Sequence, residues 1–543
     1  MPSAPPTPEP RDPAEPDAVG RLIAGVHALG LPETWTVGGV ERDRLMGRPQ
    51  KDVDLLVCGV TADELVAVCR AAGHRPQPLE VAGRLVGVRL RADFAGPEGV
   101  ELALARTEVS TGEGHGEFEI VPVPVAPHLR AVAPADRAGD PSLREAVLAD
   151  LGRRDFTCNA IARNTRTDEL LDPYGGVEDI AAGIVRAISP DSFRDDALRA
   201  FRLLARIAKD GTRADEETVR LVQDAARTMA IQGLAGPDGV VPPEPERTVE
   251  TVTGRDGRER RIVRRAAHSS LTQDRIHDEL VKTLSGPHAA VALRFAVDWG
   301  VLVRILPEFA PTIGFEHRNR HHALTVDEHQ LHAVASADRA AAPWALKLAL
   351  LMHDAGKPLA FQDHPDGGRS FHGHERVSAE LARTWTARLR LARRDQDDVV
   401  HLIAHHMYAE DEGFAARAPA DQDRRARRFL AEHGVRRALL LAEHRRHDRA
   451  AKGPEPPPDD APVLADETAF RAALHRNRDR PTTVRALAIG GRDLQALGLP
   501  PGPAHGEVLR ELLAVVLDDP DANEPERLRR IAARRVQARL GDG

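Results

Sequence analysis

The chain has 543 residues, enough for about three or four packed units, and 42% of them are hydrophobic. A net charge of −8 excludes a uniformly basic nucleic-acid coat, so phosphate contacts have to come from local patches. Cys58, Cys69 and Cys158 form no CxxC pair, which argues against a disulfide scaffold or a zinc ribbon.

Residues 1–17 are Pro-rich and acidic and are expected to be disordered. They lack the basic-then-apolar pattern of a signal peptide, and no apolar run reaches membrane-spanning length. A cytoplasmic location with no membrane partner is therefore expected. From Ala18 to Ala162 strand-like and helix-like runs alternate, and Ser192 to Arg227 reads as helices. Residues 233–270 are polar and rich in Gly, Pro and charge, which suggests a flexible excursion. Beyond Leu271 the pattern is helical nearly to the end, with a Pro-rich break from Gly453 to Pro462. The expected fold class is α+β: a small mixed-sheet head, then mostly α-helical regions. There are no internal repeats, and nothing in the sequence speaks to oligomeric state.

The first candidate site begins at Thr36–Asp43, a strand turning tightly into a helix. Gly38 and Gly39 remove the Cβ atoms that would keep a phosphate from the backbone N–H groups of the turn, and Arg42 adds a fixed positive charge. Next, Lys51–Val57 alternates with period two. Val53, Leu55 and Val57 point to the core, while Asp52 and Asp54 share the other face. Two such carboxylates repel unless a cation lies between them, an arrangement suited to Mg²⁺ in phosphoryl transfer. A helix follows, opened by a Thr61/Glu64 capping box and stopped at Gly73. Glu101, opposite Leu102 and Leu104 on a neighbouring strand, is a candidate third acid or a plain exposed glutamate.

These residues carry a family resemblance. VGGVERDRLMGRPQKDVDLLV resembles the head signature of class II CCA-adding enzymes and bacterial poly(A) polymerases, a branch of the polymerase β superfamily. ELALARTEVSTGEGHGEFE, GRRDFTCNAIA, LLDPYGGVEDI, SFRDDALRAFRLLARIA and DRIHDELVKTL resemble further motifs in the family's order. The first of these is closest to the enterobacterial type. The resemblance implies Asp52 and Asp54 as Mg²⁺ ligands, with Gly39, Arg42, Arg154, Arg199 and Arg202 binding nucleotide beside Gly38. It also implies that Asp196 and Arg199, one turn apart on one helix face, read the base edge of CTP or ATP. The implied reaction is attack by a tRNA 3′-hydroxyl on the α-phosphate, with release of pyrophosphate. Cys158 stands where the family usually has an aliphatic residue and Asp195 where it usually has Glu.

A second site follows. Trp344–Met352 is apolar nearly all round, predicting a buried helix, and it ends in His353-Asp354. That pair resembles the HD phosphohydrolase signature. His329, His374, His406 (or its neighbour His405) and Asp448 complete a set able to hold a divalent transition metal such as Ni²⁺, Mn²⁺ or Co²⁺. HD domains of enterobacterial-type CCA enzymes are associated with phosphatase and 2′,3′-cyclic phosphodiesterase activity.

The expected domains are a disordered terminus (1–17), the nucleotidyltransferase head (18–165) and neck helices (166–232). After these come the insert (233–270), body helices (271–320), the HD domain (321–452) and a helical tail (463–543). The tail's last stretch, ERLRRIAARRVQARL, is a basic amphipathic helix that reads either as a tRNA-phosphate contact or as a solvated face. The leading functional expectation is a CCA tRNA nucleotidyltransferase. The alternatives are a poly(A) polymerase or a partial C- or A-adding enzyme, an HD phosphohydrolase with an RNA-delivering head, and a non-catalytic RNA binder.

Overall fold

The computed structural model describes residues 18–541 apart from 51–52, 82–83, 92–98, 111–117, 230, 232, 235–246, 254–258, 266–270, 320–322, 409–412, 456 and 459–460. The chain divides into two compact units. The first is Met1–Ile207, Gly211–Ile276 and Trp299–Val301, and the second is Ala208–Asp210, His277–Asp298 and Leu302–Gly543.

The first unit is built on a seven-stranded mixed sheet, the small head sheet expected from the alternating sequence pattern. In chain order its strands are β1 (Glu33–Val37), β2 (Asp54–Cys58), β3 (Gln77–Val81), β4 (Arg84–Leu90) and β5 (Val100–Leu104). A separate ribbon, β6 (Arg106–Ser110) with β7 (Phe118–Pro122), precedes β8 (Ala162–Asn164) and β9 (Leu170–Leu171). The sheet order is β3-β4-β5-β2-β1-β8-β9, and β2 and β5 are its parallel pair.

Strand β2 lies at the centre of this sheet and is covered on both faces. Leu55 and Val57 join a core with Leu22, Val26, Leu65, Cys69, Val88 and Leu102, with Val53 packed at its margin. Leu56 and Cys58 join a second core with Trp35, Val147 and Leu151. The Asp face of the strand is therefore polar only at its start, because the Pro141–Gly152 helix covers the rest. Asp54 is exposed at that start, and Asp52 lies outside the described residues.

The helix after β2 runs Ala62–Ala71 and carries the expected capping box, with Thr61 and Glu64 each satisfying the other's backbone N–H. Gly73 ends it at φ +84, a conformation that a side chain disfavours. Glu64 also receives two hydrogen bonds from the buried Arg137, 2.6 and 3.0 Å long. The same guanidinium donates to the carbonyls of Gly59 and Val132.

The Ser192–Arg227 region is made of helices, as its pattern suggests: a short one, Ser192–Asp195, stops at Asp196, and Leu198–Asp210 and Glu216–Thr228 follow. One sequence expectation needs correction. Within 233–270, strands Arg247–Thr253 and Glu259–Arg265 pair antiparallel over seven residues each, so the segment includes a hairpin. Its β-branched residues (Thr248, Val249, Thr251, Val252, Ile262, Val263) suit strands.

The second unit is nearly all helical. The Trp344–Met352 helix is buried from Ala345 to Met352, as its all-round apolar pattern predicts. Even Lys347 is inside, where it pairs with Asp338 at 2.7 Å and donates to the Gly286 carbonyl at 2.9 Å. A separate core of Leu487, Leu494, Val508, Leu512, Leu528, Ala532 and Val536 holds the C-terminal helices. Among the described residues no helix is long and apolar enough to cross a membrane.

The Arg137 pair sets a pH prediction. Arg137 pulls the Glu64 carboxyl down to about 2 from 4.5. Because the folded value is depressed, this stabilisation is complete above pH 4.5 and is lost as pH falls towards 2. Arg137→Leu is expected to cost about 2 kcal/mol at pH 7, less than a fully buried pair since Glu64 is partly exposed. Urea denaturation at pH 7 and pH 3 should show the gap to wild type narrowing in acid.

Candidate functional site

The glycine turn gathers arginines. Gly38 has φ +73, and a Cβ there would lie 2.5 Å from Nη1 of Arg154. Gly39 opens the Gly39–Leu45 helix with the Arg42 guanidinium against it. Arg42 is buried, donating to Asn159 Oδ1 at 2.5 Å and to Asp43 Oδ1 at 2.9 and 3.1 Å. Arg154 donates to the Asn159 carbonyl at 3.3 Å and to the buried Asp150 at 3.1 Å. Asn159 Nδ2 in turn donates to Asp155 Oδ1 at 2.8 Å, and Arg202 approaches the other Asp155 oxygen at 3.8 Å. Gly38, Gly39, Arg42, Arg154 and Arg202 thus converge through Asn159 and Asp155. Sequence reasoning did not single out those two connectors, although both stand in the GRRDFTCNAIA string. This arrangement can present backbone N–H groups and several guanidinium charges to an anion.

Glu101 lies on the strand beside the carboxylate strand, where the sequence pattern put it: Asp54 and Glu101 are direct neighbours in the parallel β2/β5 register. Glu101 is engaged, accepting from Arg89 Nε at 3.0 Å, with a second, closer contact from Nη2. The pair at Asp196 and Arg199 departs from the helical i,i+3 picture. Asp196 is extended (φ −143, ψ 99), and its Oδ1 accepts from the Leu198 N–H. That local bond ends one helix and starts the next. Its Oδ2 accepts from Arg275 at 3.1 Å. Arg199 donates to the carbonyls of Arg153 (2.9 Å) and Ser192 (3.3 Å), so it braces the turn that carries Arg154.

In the second unit all six residues named from the sequence meet. Asp354 lies at their centre, 1% exposed. Its Oδ1 is 3.1 Å from His374 Nε2 and 3.8 Å from His406 Nε2. Its Oδ2 is 3.2 Å from His353 Nε2, 3.7 Å from His329 Nε2 and 2.6 Å from Lys357 Nζ. Asp448 closes the other side, 2.8 Å from His329 Nε2 and 3.5 Å from His353 Nε2. His406, not the exposed His405, turns inward.

Every one of the four imidazoles has Nδ1 against a main-chain carbonyl. His353, His374 and His406 use the residue three positions earlier, Leu350, Phe371 and Ile403, at 2.7–2.8 Å. His329 uses Ala451 at 3.1 Å. A donor role at Nδ1 leaves the Nε2 lone pairs for the centre, the tautomer a metal ligand needs.

The fit to a metal can be tested on the polar atoms. His353 Nε2 and both Asp354 oxygens are buried and make no hydrogen bond, although they stand within ion-pair distance of each other. Two groups bring three ligand atoms each within 4.8 Å of one another: His329–His353–Asp448 and His353–Asp354–His406. Nitrogen and carboxylate donors in such a set match a divalent transition ion.

Electrostatics in the absence of an ion point the same way. Burial opposes charge on His353, but Asp354 and Asp448 outweigh it and push the imidazole up to about 10. Burial would raise Asp354, yet His353 and Lys357 hold it well below the usual carboxylate range. Burial, then the charge on His353, lowers His406 to about 3. The two carboxylates thus recruit whatever cation is at hand. Lys357 and its partner His317 (Nε2 3.0 Å away) were not foreseen, although Lys357 follows directly in the HDAGK string. A cavity of about 1490 Å³ opens on the centre, lined by His353, Asp354, His374, His406 and Asp448, and by the cations Arg318, Lys357, Arg445, Arg449 and Lys452.

The glycine turn yields a paired prediction. Gly38→Ala combines a positive φ with a clash on Arg154 and is expected to cost about 1–3 kcal/mol. Gly39→Ala, whose nearest neighbour is the Arg42 guanidinium at 3.4 Å, the near edge of ordinary contact, should stay within about 0.5 kcal/mol of wild type. Chemical denaturation of the two variants checks the contrast.

Comparisons with known proteins agree with this layout. Residues 34–186 match the Poly A polymerase head domain, 266–313 the probable RNA and SrmB- binding site of polymerase A, and 326–466 the HD domain. An A-adding tRNA nucleotidyltransferase of Deinococcus radiodurans is 33% identical over 369 residues, 67% of this chain and 74% of its own. A multifunctional CCA protein of Azoarcus sp. (strain BH72) is 30% identical over 492 residues, 87% of this chain and 99% of its own. In fold, the chain is similar to the CCA-adding enzyme of Bacillus stearothermophilus, whose structure was solved in complex with CTP. The TM-score is 0.59 at 20% identity, covering 97% of this chain and 100% of that one. With relatives this similar across both the sheet-based and the HD regions, the chain belongs to the tRNA nucleotidyltransferase and poly(A) polymerase family, and is a nucleotidyltransferase carrying an HD domain.

Proposed function

We propose that the chain adds or repairs the 3′-terminal CCA of tRNA, consuming CTP and ATP. The observation that carries this reading is the 30% identity to a multifunctional CCA protein across 99% of that protein's length, HD region included. A tRNA-handling enzyme of this kind works in the cytoplasm.

In the proposed reaction the 3′-hydroxyl oxygen of tRNA bonds to the α-phosphorus, the α–β phosphoanhydride breaks, and pyrophosphate leaves with the hydroxyl proton taken up by solvent or a nearby base. Asp52 and Asp54 would hold Mg²⁺, which would supply charge neutralisation at the α-phosphate and a more acidic hydroxyl. Glu101, beside Asp54 in register, is tied to Arg89 and orients that edge of the sheet rather than entering the metal shell. The Gly38–Gly39 turn, Arg42, Arg154 and Arg202 bind the triphosphate. For Asp196 and Arg199 to read the base, Asp196 has to release Arg275, and Arg199 has to release its two carbonyls.

For the HD centre we propose a phosphohydrolase acting on 2′,3′-cyclic phosphate or terminal phosphate at RNA ends. His329, His353, Asp354, His374, His406 and Asp448 would hold divalent ions such as Ni²⁺, Mn²⁺ or Co²⁺. The two three-ligand groups, His329–His353–Asp448 and His353–Asp354–His406, have His353 in common. A metal there would supply a water of lowered pKa. Lys357 and the arginines of the cavity bind and orient the phosphate ester.

A second reading has its own support: the Deinococcus relative named for A addition is 33% identical over 67% of this chain. Extension of tRNA ending before CCA, given CTP alone, ATP alone or both, separates the two. Full addition from both nucleotides supports the main reading, and A incorporation only onto tRNA already ending in CC supports the second. Asp54→Ala is expected to lower incorporation at least about a hundredfold. Unchanged incorporation would refute the role given to the carboxylate strand. His353→Ala should abolish metal-dependent hydrolysis of 2′,3′-cyclic AMP while nucleotide addition continues; retained hydrolysis rules out the HD reading.

A further inference from the structure

One histidine at the HD centre belongs to none of the roles above. His444 lies on the Val435–Ala450 helix, four residues before Asp448 and therefore on the same helix face. It is fully buried, and neither ring nitrogen makes a hydrogen bond. Its ring centroid is 5.2 Å from that of His353 and 5.7 Å from that of His406. These spacings match those among the other imidazoles of the centre: His329–His353 at 5.3 Å, His353–His406 at 5.0 Å and His374–His406 at 5.1 Å.

We propose that His444 is a further metal-holding group of the HD centre, so that one helix delivers two donors, His444 and Asp448, one turn apart. This rests on the metal-centre reading proposed above. Buried polar side chains find partners, and an imidazole with both nitrogens vacant, pressed on two ligand histidines, has an ion of that centre as its natural partner. Its orientation differs in kind from that of the four ligand imidazoles. They are fixed through Nδ1 to a carbonyl, whereas His444 has no such tether at either nitrogen. His447 on the same helix is unlike it, since its Nδ1 pairs with Ser336 Oγ at 2.9 Å. A purely structural ring at this place would need neither nitrogen.

The test uses the full-length chain and Co²⁺ alone as probe. His444→Phe keeps a ring in the space and removes both donors. Wild type, His444→Phe and His353→Ala are titrated with Co²⁺, with bound metal counted by mass spectrometry and the visible ligand-field bands recorded. The His353→Ala protein sets the level of binding outside the centre. The expected result is at least about a tenfold loss of Co²⁺ affinity in His444→Phe, with a changed band shape and nucleotide addition retained. Affinity and bands equal to wild type overturn the proposal, even if the melting temperature moves. If His444→Phe does not fold, His444→Asn is read by the same criteria. Wild type binding no more Co²⁺ than His353→Ala is a different failure, because it removes the metal centre itself.

Discussion

A carboxylate taken out of water has to be neutralised by what surrounds it, and in the second unit that requirement organises the helices around Asp354. The acid sits just past the end of a helix whose residues from Ala345 to Met352 are all buried. Four imidazoles and one lysine, each from a different place along the chain, approach its two oxygens. Desolvation of the charged form is offset only while these groups stay in place. Helix packing and ligand geometry are therefore one problem at this point, and the open basic cavity is the side on which the cluster meets solvent.

The first unit solves a related problem with a sheet. β2 is apolar on both faces for most of its length, and its exposed first residue, Asp54, stands at the end that emerges from between the two cores. The glycine turn at Gly38 is close by in sequence, and the arginines it admits are linked to one another through Asn159 and Asp155. Glycine is required there by a neighbour as much as by φ, since the space of its Cβ is taken by Arg154.

Much of this was legible in the sequence where the signal is local. The Thr61/Glu64 box, the stop at Gly73 and the buried helix before His353 follow from spacing and periodicity, and motif order picks out the six residues that meet at the HD centre. What escaped has physical causes. The helix break at Asp196 depends on a side-chain bond to a main-chain N–H two residues on, which competes with helix continuation in a stretch of otherwise good helix formers. The partners of Arg199 are carbonyls, which leave no mark in a sequence. His444 sits in a string, HRRHD, whose Arg residues suggest a solvated face, and only packing against His353 reveals that it points inward. The hairpin inside 233–270 was hidden by charged and Gly/Pro neighbours that outweigh a few β-branched residues.

Two of the histidines bonded to the carbonyl three positions earlier carry a mechanical consequence. His353 and His406 follow directly on the Trp344–Met352 and Arg393–His405 helices, so each ring is clamped to the end of its own helix and moves with it as a rigid arm. Donor separations across the HD cluster then copy the distances between helices, and any ion held there acts as a gauge of how tightly those helices are packed. Apolar substitutions beneath Leu350 or Ile403, with every ligand intact, should retune the grip on metal by shifting the arms rather than the hands.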